Sequence, residues 1–160
     1  MFSNYGSKHV VYTAIIAALY TLFVYALAPI SYGPLQLRVA CFLYPLALFN
    51  PAYSFGFGLG TFLSNIGSPF GLWDIVAMPI VATLAGLVCW RVRRFPLVAI
   101  STQATIIAAG VSIFPLHLGG NLPILVTFPG VLLSQLIVIC LGYYIVWRPL
   151  RQLPIFRKDE

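Results

Sequence analysis

The chain has 160 residues, 61% of them hydrophobic and 8% charged, with a formal net charge of +6 and a mean hydropathy of +0.96. Soluble domains carry about 25% charged residues, so this composition specifies an integral membrane protein. At about 20 residues per spanning helix, these residues hold about five to seven helices, and no soluble catalytic domain is expected among them.

The polar start, Met1 to Gly6, is followed by an apolar stretch without a small-residue cleavage site, so the first helix is expected to stay in the mature protein. That span runs from about Val10 to Ala28 and ends at Pro29; a loop follows, Ile30 to Gln36, with Gly33-Pro34 as its turn signal. The second span, Leu37 to Phe49, is short and contains Pro45, and the third, Ala52 to Ile66, carries Gly56, Gly58 and Gly60. Neither reaches the usual spanning length, so both are expected to tilt or hide within a bundle. After a loop from Gly67 to Gly71 come spans Leu72 to Trp90 and Pro96 to Phe114, a loop Pro115 to Pro123, and a sixth span Ile124 to Trp147. The expected fold is an all-α bundle of six transmembrane helices, in a single substrate-binding domain over residues 1–160.

Charge supports the count. Six spans with both termini cytoplasmic place Lys8, Arg91, Arg93, Arg94, Arg148, Arg151, Arg157 and Lys158 inside, eight of the nine basic residues, and leave only Arg38 outside. Five spans, with the second and third fused as a re-entrant hairpin, would put the last basic cluster outside and are disfavoured. The positive charge therefore serves topology in the cell membrane, and no nucleic-acid partner is implied. Cys41, Cys89 and Cys140 are far apart and lack metal or disulfide spacing, so they read as small packing residues.

Catalytic parts are scarce. His9 and His117 are the only histidines, Asp74 is the only acidic residue before Asp159, and no phosphate loop ending in Lys-Ser or Lys-Thr exists. The chain reads as neither an enzyme nor an ATPase, and needs no cofactor or metal. What remains is a polar and aromatic set on one side: Tyr32, Gln36 and Arg38 after the first loop, Asn65, Ser68, Trp73 and Asp74 around the second, and His117 and Asn121 in the third. Such a set suits capture of a small planar heterocycle, with aromatic faces and a few fixed polar groups. Asp74 and Arg38 could equally pair and hold two helices together, and the two roles are compatible. Gln103 and Gln135 lie inside spans, where an amide needs an interhelical partner; Ala14 and Ala18 have the spacing that lets another helix approach closely, as do Gly56 and Gly60.

The runs Ala17-Ala18-Leu19-Tyr20 and Ala28 to Val39 (APISYGPLQLRV), the Gly56-x-Gly58-x-Gly60 stretch, Ser64-Asn65, and Ser68-Pro69-x-Gly71-Leu72-x-Asp74-Ile75 resemble the QueT family of queuosine-precursor transporters. These are substrate-binding (S) components of energy-coupling factor (ECF) transporters. The resemblance covers about residues 12 to 90, and the last third matches only in hydropathy. It implies that the chain captures a vitamin-like molecule from outside and joins a module of a transmembrane coupling protein and two ATPases. Substrate would meet Asp74, Arg38, Gln36, Asn65, Tyr32, Trp73 and Asn121, and Ala14 and Ala18 would face the coupling protein. One position departs from the family pattern. After the arginine the family continues Ser-Glu-Ala-Leu, whereas here the glutamate position is Cys41. The missing acceptor bears on the amine of an aminomethyl-deazaguanine and leaves a neutral nitrile, a related base or another heterocycle in view. An S component for another vitamin and a ligand-free membrane scaffold are the rival readings.

Overall fold

The computed structural model describes residues 7–31 and 38–153. Helix α1 spans Ser7–Ala26 and is followed by a short turn of helix, α2, Ala28–Ser31. A 3-10 helix, Val39–Leu48, comes next, then α3, Ala52–Asn65, and α4, Leu72–Arg91. Helix α5, Pro96–Val111, continues as a π-helical segment Ser112–Gly119. Helix α6, Ile124–Gly142, continues through a π-helical segment Tyr143–Trp147 to Leu150.

Four of these helices are long and apolar enough to cross a membrane: Ser7–Ala26, Leu72–Arg91, Pro96–Gly119 and Ile124–Leu150. Their exposed faces carry Val10, Leu22, Leu72, Val76, Ile80, Leu125, Leu133 and Ile145, the surface that a multi-pass protein turns to lipid. The expected loop from Pro115 to Pro123 is shorter in the structure, because the helix continues to Gly119. A π turn leaves room around the N–H that Pro115 lacks, so the proline is absorbed rather than ending the helix.

The 3-10 helix is the centre of the molecule, packed against α1, α3, α4, α5 and α6. Ala40, Cys41, Leu43, Tyr44, Pro45, Ala47 and Leu48 are all buried. Ten residues at about 2.0 Å each make an element of about 20 Å, too short to cross a hydrocarbon core of about 30 Å by itself. Protein surrounds it instead, and that is where membrane proteins tolerate irregular backbone.

Close packing of α1 on α3 follows from the glycines. Thr13 Oγ1 meets Ala52 O at 3.4 Å, Thr21 Oγ1 meets Gly60 O at 3.2 Å, and Tyr25 Oη donates to Leu63 O at 3.0 Å. The near-constant sequence offset means that the two helices run parallel. A Cβ on Gly56 would lie 2.7 Å from Thr13 O, and one on Gly60 would lie 3.0 Å from Ala17 O. Gly56 and Gly60 thus share the face that the sequence assigns them, and α1 fills it. Ala17 is buried on that face, while Ala14 and Ala18 are exposed on another.

Candidate functional site

Three elements meet at one end of the bundle. Arg38 precedes the 3-10 helix, Asn65 is the last residue of α3, and Asp74 is the third residue of α4. A tight connection carries the chain from Asn65 to Asp74: Ser68 N donates to Asn65 O at 2.9 Å, and Asp74 N donates to Gly71 O at 3.2 Å. Gly71 has φ +69, a left-handed conformation that a side chain would resist, and this sharp entry turns Asp74 inward.

Asn65 is the hinge of the resulting network. Its Oδ1 accepts from Arg38 Nη2 at 2.8 Å, and its Nδ2 donates to both the backbone O and Oδ1 of Asp74 at 2.9 Å. Ser68 Oγ donates to Asp74 Oδ2, and Arg38 Nη2 lies 3.7 Å from the same oxygen. Arg38 is 4% exposed, and Asn65 and Asp74 are fully buried. Buried charges persist only where they are paired and hydrogen-bonded, and Asn65 and Ser68 supply those bonds here.

Further polar groups lie behind this network. Arg38 is within electrostatic reach of Tyr20, Cys41 and Tyr44 as well as Asp74. The Tyr20 and Tyr44 hydroxyls share a hydrogen bond at 3.3 Å, and Tyr20 Oη is 3.9 Å from Cys41 Sγ. Their rings pack with Phe57, Tyr44 edge-on at 4.8 Å. Gln135 of α6 reaches Cys41 from the other side, while its Oε1 is buried with no partner among the described residues. Elsewhere in the bundle, on α5 and its extension, both amide atoms of fully buried Gln103 and the hydroxyl of Ser112 also have no partner among the described residues.

Helical period explains why Tyr44 lies with Arg38 and Cys41. A 3-10 helix has three residues per turn, which stacks positions 38, 41, 44 and 47 on one face. Arg38, Cys41, Tyr44 and Ala47 are indeed all buried. Read as an α-helix, the same residues drift around the axis, and Tyr44 and Tyr20 pass as core aromatics.

The other expected site residues are placed differently. Trp73 is half-exposed, stacked on Phe114 at a centroid distance of 6.3 Å, and lines an apolar groove with Val76, Ala77 and Ile80. Adjacent positions on α4 thus send Asp74 inward and Trp73 outward. Asn121 is exposed at φ +54, and its N–H is tied to His117 O at 2.9 Å. Its turn rests on the Asn65–Asp74 connection, since a Cβ on Gly119 would lie 2.7 Å from Phe70 O. His117 lies in the last turn of the helix and contacts Leu122 O through Nδ1 at 3.0 Å. Tyr32 and Gln36 lie outside the described residues. Among the described residues no three of His, Cys, Asp and Glu come together as a set that could hold a metal ion.

The family model described as QueT transporter matches residues 10–148, almost the whole membrane-embedded chain. The chain belongs to the QueT transporter family. No curated protein and no solved structure matches it. Membership of the QueT transporter family makes the protein a membrane transporter, and the match extends through α5 and α6, where the sequence resemblance had rested on hydropathy alone. The network and the Tyr20–Cys41–Tyr44 cluster both fall inside the matched region.

Proposed function

We propose that this QueT transporter is the substrate-capture subunit of an ATP-driven importer of the ECF type, and that its cargo is a neutral deazaguanine base related to queuosine precursors. The observation that carries the reading is a buried Arg38–Asn65–Asp74 network backed by unmatched polar groups, in a chain of this family without a phosphate loop. Ligand contacts are assigned to Asp74, Arg38 and Asn65, with Gln36 and Tyr32 from the first loop and Trp73 and Asn121 at the rim. A carboxylate that accepts paired N–H groups suits a guanine-like edge.

Cys41 selects among forms of that base. At the family's glutamate position, the cargo meets a buried thiol flanked by Tyr20 and Gln135, with no charge to match an aminomethyl cation. The wild type should therefore bind the neutral nitrile form more tightly than the cationic aminomethyl form, and Cys41→Glu should reverse the order. A charge-assisted hydrogen bond is worth about 1.5–3 kcal/mol, so the ratio of the two affinities should change by about 10- to 150-fold in calorimetric titrations. An unchanged ratio would separate Cys41 from the cargo.

In the proposed topology, the Asp74 end faces outside, both termini are cytoplasmic in the plasma membrane, and the 3-10 helix and α3 complete six passes. The positive-inside bias supports it. Single-cysteine labelling of intact cells should mark residue 119 and spare residue 92, and the opposite pattern would invert the orientation.

Ala14 and Ala18 are assigned to the contact with the coupling protein. Both are exposed on α1, and Ala14 borders an apolar groove with Val10, Thr13, Phe55 and Leu59. Ala14→Trp and Ala18→Trp should each abolish co-purification with the ATPase module while leaving ligand affinity within about twofold, because bulk prevents close helix approach. Full complex yield in both variants would remove α1 from the interface.

A further inference from the structure

Gln135 stands on a face of α6 that is turned into the bundle. Val131, Gln135, Val138 and Gly142 are buried at intervals of three and four residues, and α6 packs on the 3-10 helix. An amide in that stripe carries an acceptor and two donors into a setting that apolar side chains otherwise fill. Gln135 is 1% exposed; it reaches Cys41, yet its Oε1 meets no donor among the described residues. Thr61 of α3, fully buried beside Tyr20, likewise has a hydroxyl with no hydrogen bond among the described residues.

Tyr20 and Cys41 link these two side chains. Tyr20 Oη lies 3.9 Å from Cys41 Sγ and shares a 3.3 Å hydrogen bond with the Tyr44 hydroxyl. Helices α1, α3 and α6 and the 3-10 helix thus each bring a polar group to one buried cluster. Its aromatic rings are those of Tyr20, Tyr44 and Phe57, with Tyr20 and Tyr44 at a centroid distance of 5.7 Å. Arg38 joins the cluster to the Asn65–Asp74 network, since it pairs with Asp74 and is within electrostatic reach of Tyr20, Cys41 and Tyr44. Buried acceptors are ordinarily matched, and one that folding leaves unmatched gains when a ligand brings the donor.

We propose that Gln135 is a specificity-determining residue of the capture site, its Oε1 accepting the five-membered-ring N–H of the deazaguanine base while Asp74 takes the paired N–H groups of the six-membered ring. The assignment rests on the capture function proposed above and extends it to α6. With its guanine-like edge on Asp74, the base turns its five-membered ring away from that carboxylate and into the bundle. The ring N–H is then the donor left to be matched, and Gln135 holds an acceptor without a partner. A ribose on the same nitrogen removes that hydrogen, so this acceptor separates the free base from its nucleoside.

Calorimetric titration of the full chain with the neutral nitrile base and with its furan isostere, in which a ring oxygen replaces that N–H, tests the assignment. The two compounds share their shape and their guanine-like edge and differ in the group offered to Gln135. Wild type should bind the base at least about tenfold more tightly, because the isostere leaves the acceptor unmatched and sets two oxygens against each other. Gln135→Leu should bind the two within about twofold of each other, chiefly through weaker binding of the base. Equal affinity of wild type for both compounds, or an undiminished preference in Gln135→Leu, would overturn the assignment and leave capture of the base standing. Absence of saturable binding of the base by wild type would instead remove the capture function, and the role of Gln135 with it. If Gln135→Leu does not fold, Gln135→Met decides by the same comparison.

Discussion

Asp74→Asn should lower ligand affinity by about 10- to 150-fold, the equivalent of about 1.5–3 kcal/mol for one charge-assisted hydrogen bond. The ligand-free protein should lose less stability than that. An amide at position 74 can still accept from Asn65, and Arg38 keeps its 2.8 Å bond to Asn65 Oδ1. The ion pair itself, at 3.7 Å, is the weaker tie on the arginine. What the substitution removes is the negative charge proposed to meet the cargo and the second acceptor that Ser68 uses. Calorimetric titration alongside melting curves separates the roles. A large fall in melting temperature with affinity within about twofold of wild type, or about 0.4 kcal/mol, would make Asp74 a structural partner of Arg38 alone.

Gly142→Ala should be the most damaging single-methyl change in the protein. A Cβ there would run into the carbonyl of Phe42, with the Phe42 Cα only 2.9 Å away. The obstacle is backbone, so no rotamer change relieves it; α6 and the 3-10 helix must move apart. Overpacking of this kind costs about 1–3 kcal/mol, and at about 2–4 °C per kcal/mol the melting temperature should fall by several degrees. Function should suffer too. Gln135 and Gly142 are seven residues apart on α6, two turns along one face, and that face brings Gln135 to Cys41. Ligand affinity should therefore drop together with stability. Gly67→Ala is the control, since nothing lies within 4 Å of the added methyl. Equal melting temperatures for Gly142→Ala and Gly67→Ala would mean that the two helices are not in contact as described.

Much of this architecture was legible from the chain alone, for physical reasons. Apolar runs punctuated by Pro and Gly place the four long helices to within a few residues, because lipid enforces helical backbone wherever a chain crosses. Arg38 and Asp74 could be paired on paper, since each is the sole residue of its charge at that end and neither is tolerated alone in an apolar setting. Gly56 and Gly60 announced a close helix contact for the same kind of reason: only a missing side chain lets two backbones meet.

Other features depend on tertiary packing and left weaker marks. The stretch Val39–Leu48 winds as a 3-10 helix because the surrounding helices enclose it, and the three-residue period that aligns Arg38, Cys41 and Tyr44 is invisible once an α-helical period is assumed. Tyr20, in an otherwise apolar helix, shows no periodicity that separates a site residue from a core aromatic. Trp73 and Asp74 are adjacent, and only the turn at Gly71 decides which of them faces inward. Pro115 reads as a helix end, yet a π segment carries the helix four residues farther.

Calorimetric titration of the purified wild-type chain, without any other subunit, with the neutral nitrile form of the deazaguanine base tests the central claim most directly. Capture by the site around Arg38, Asn65 and Asp74 predicts saturable binding at one base per chain, tighter than for the aminomethyl form and weakened in Asp74→Asn. Absence of saturable binding by either form, in protein that melts cooperatively, would contradict it.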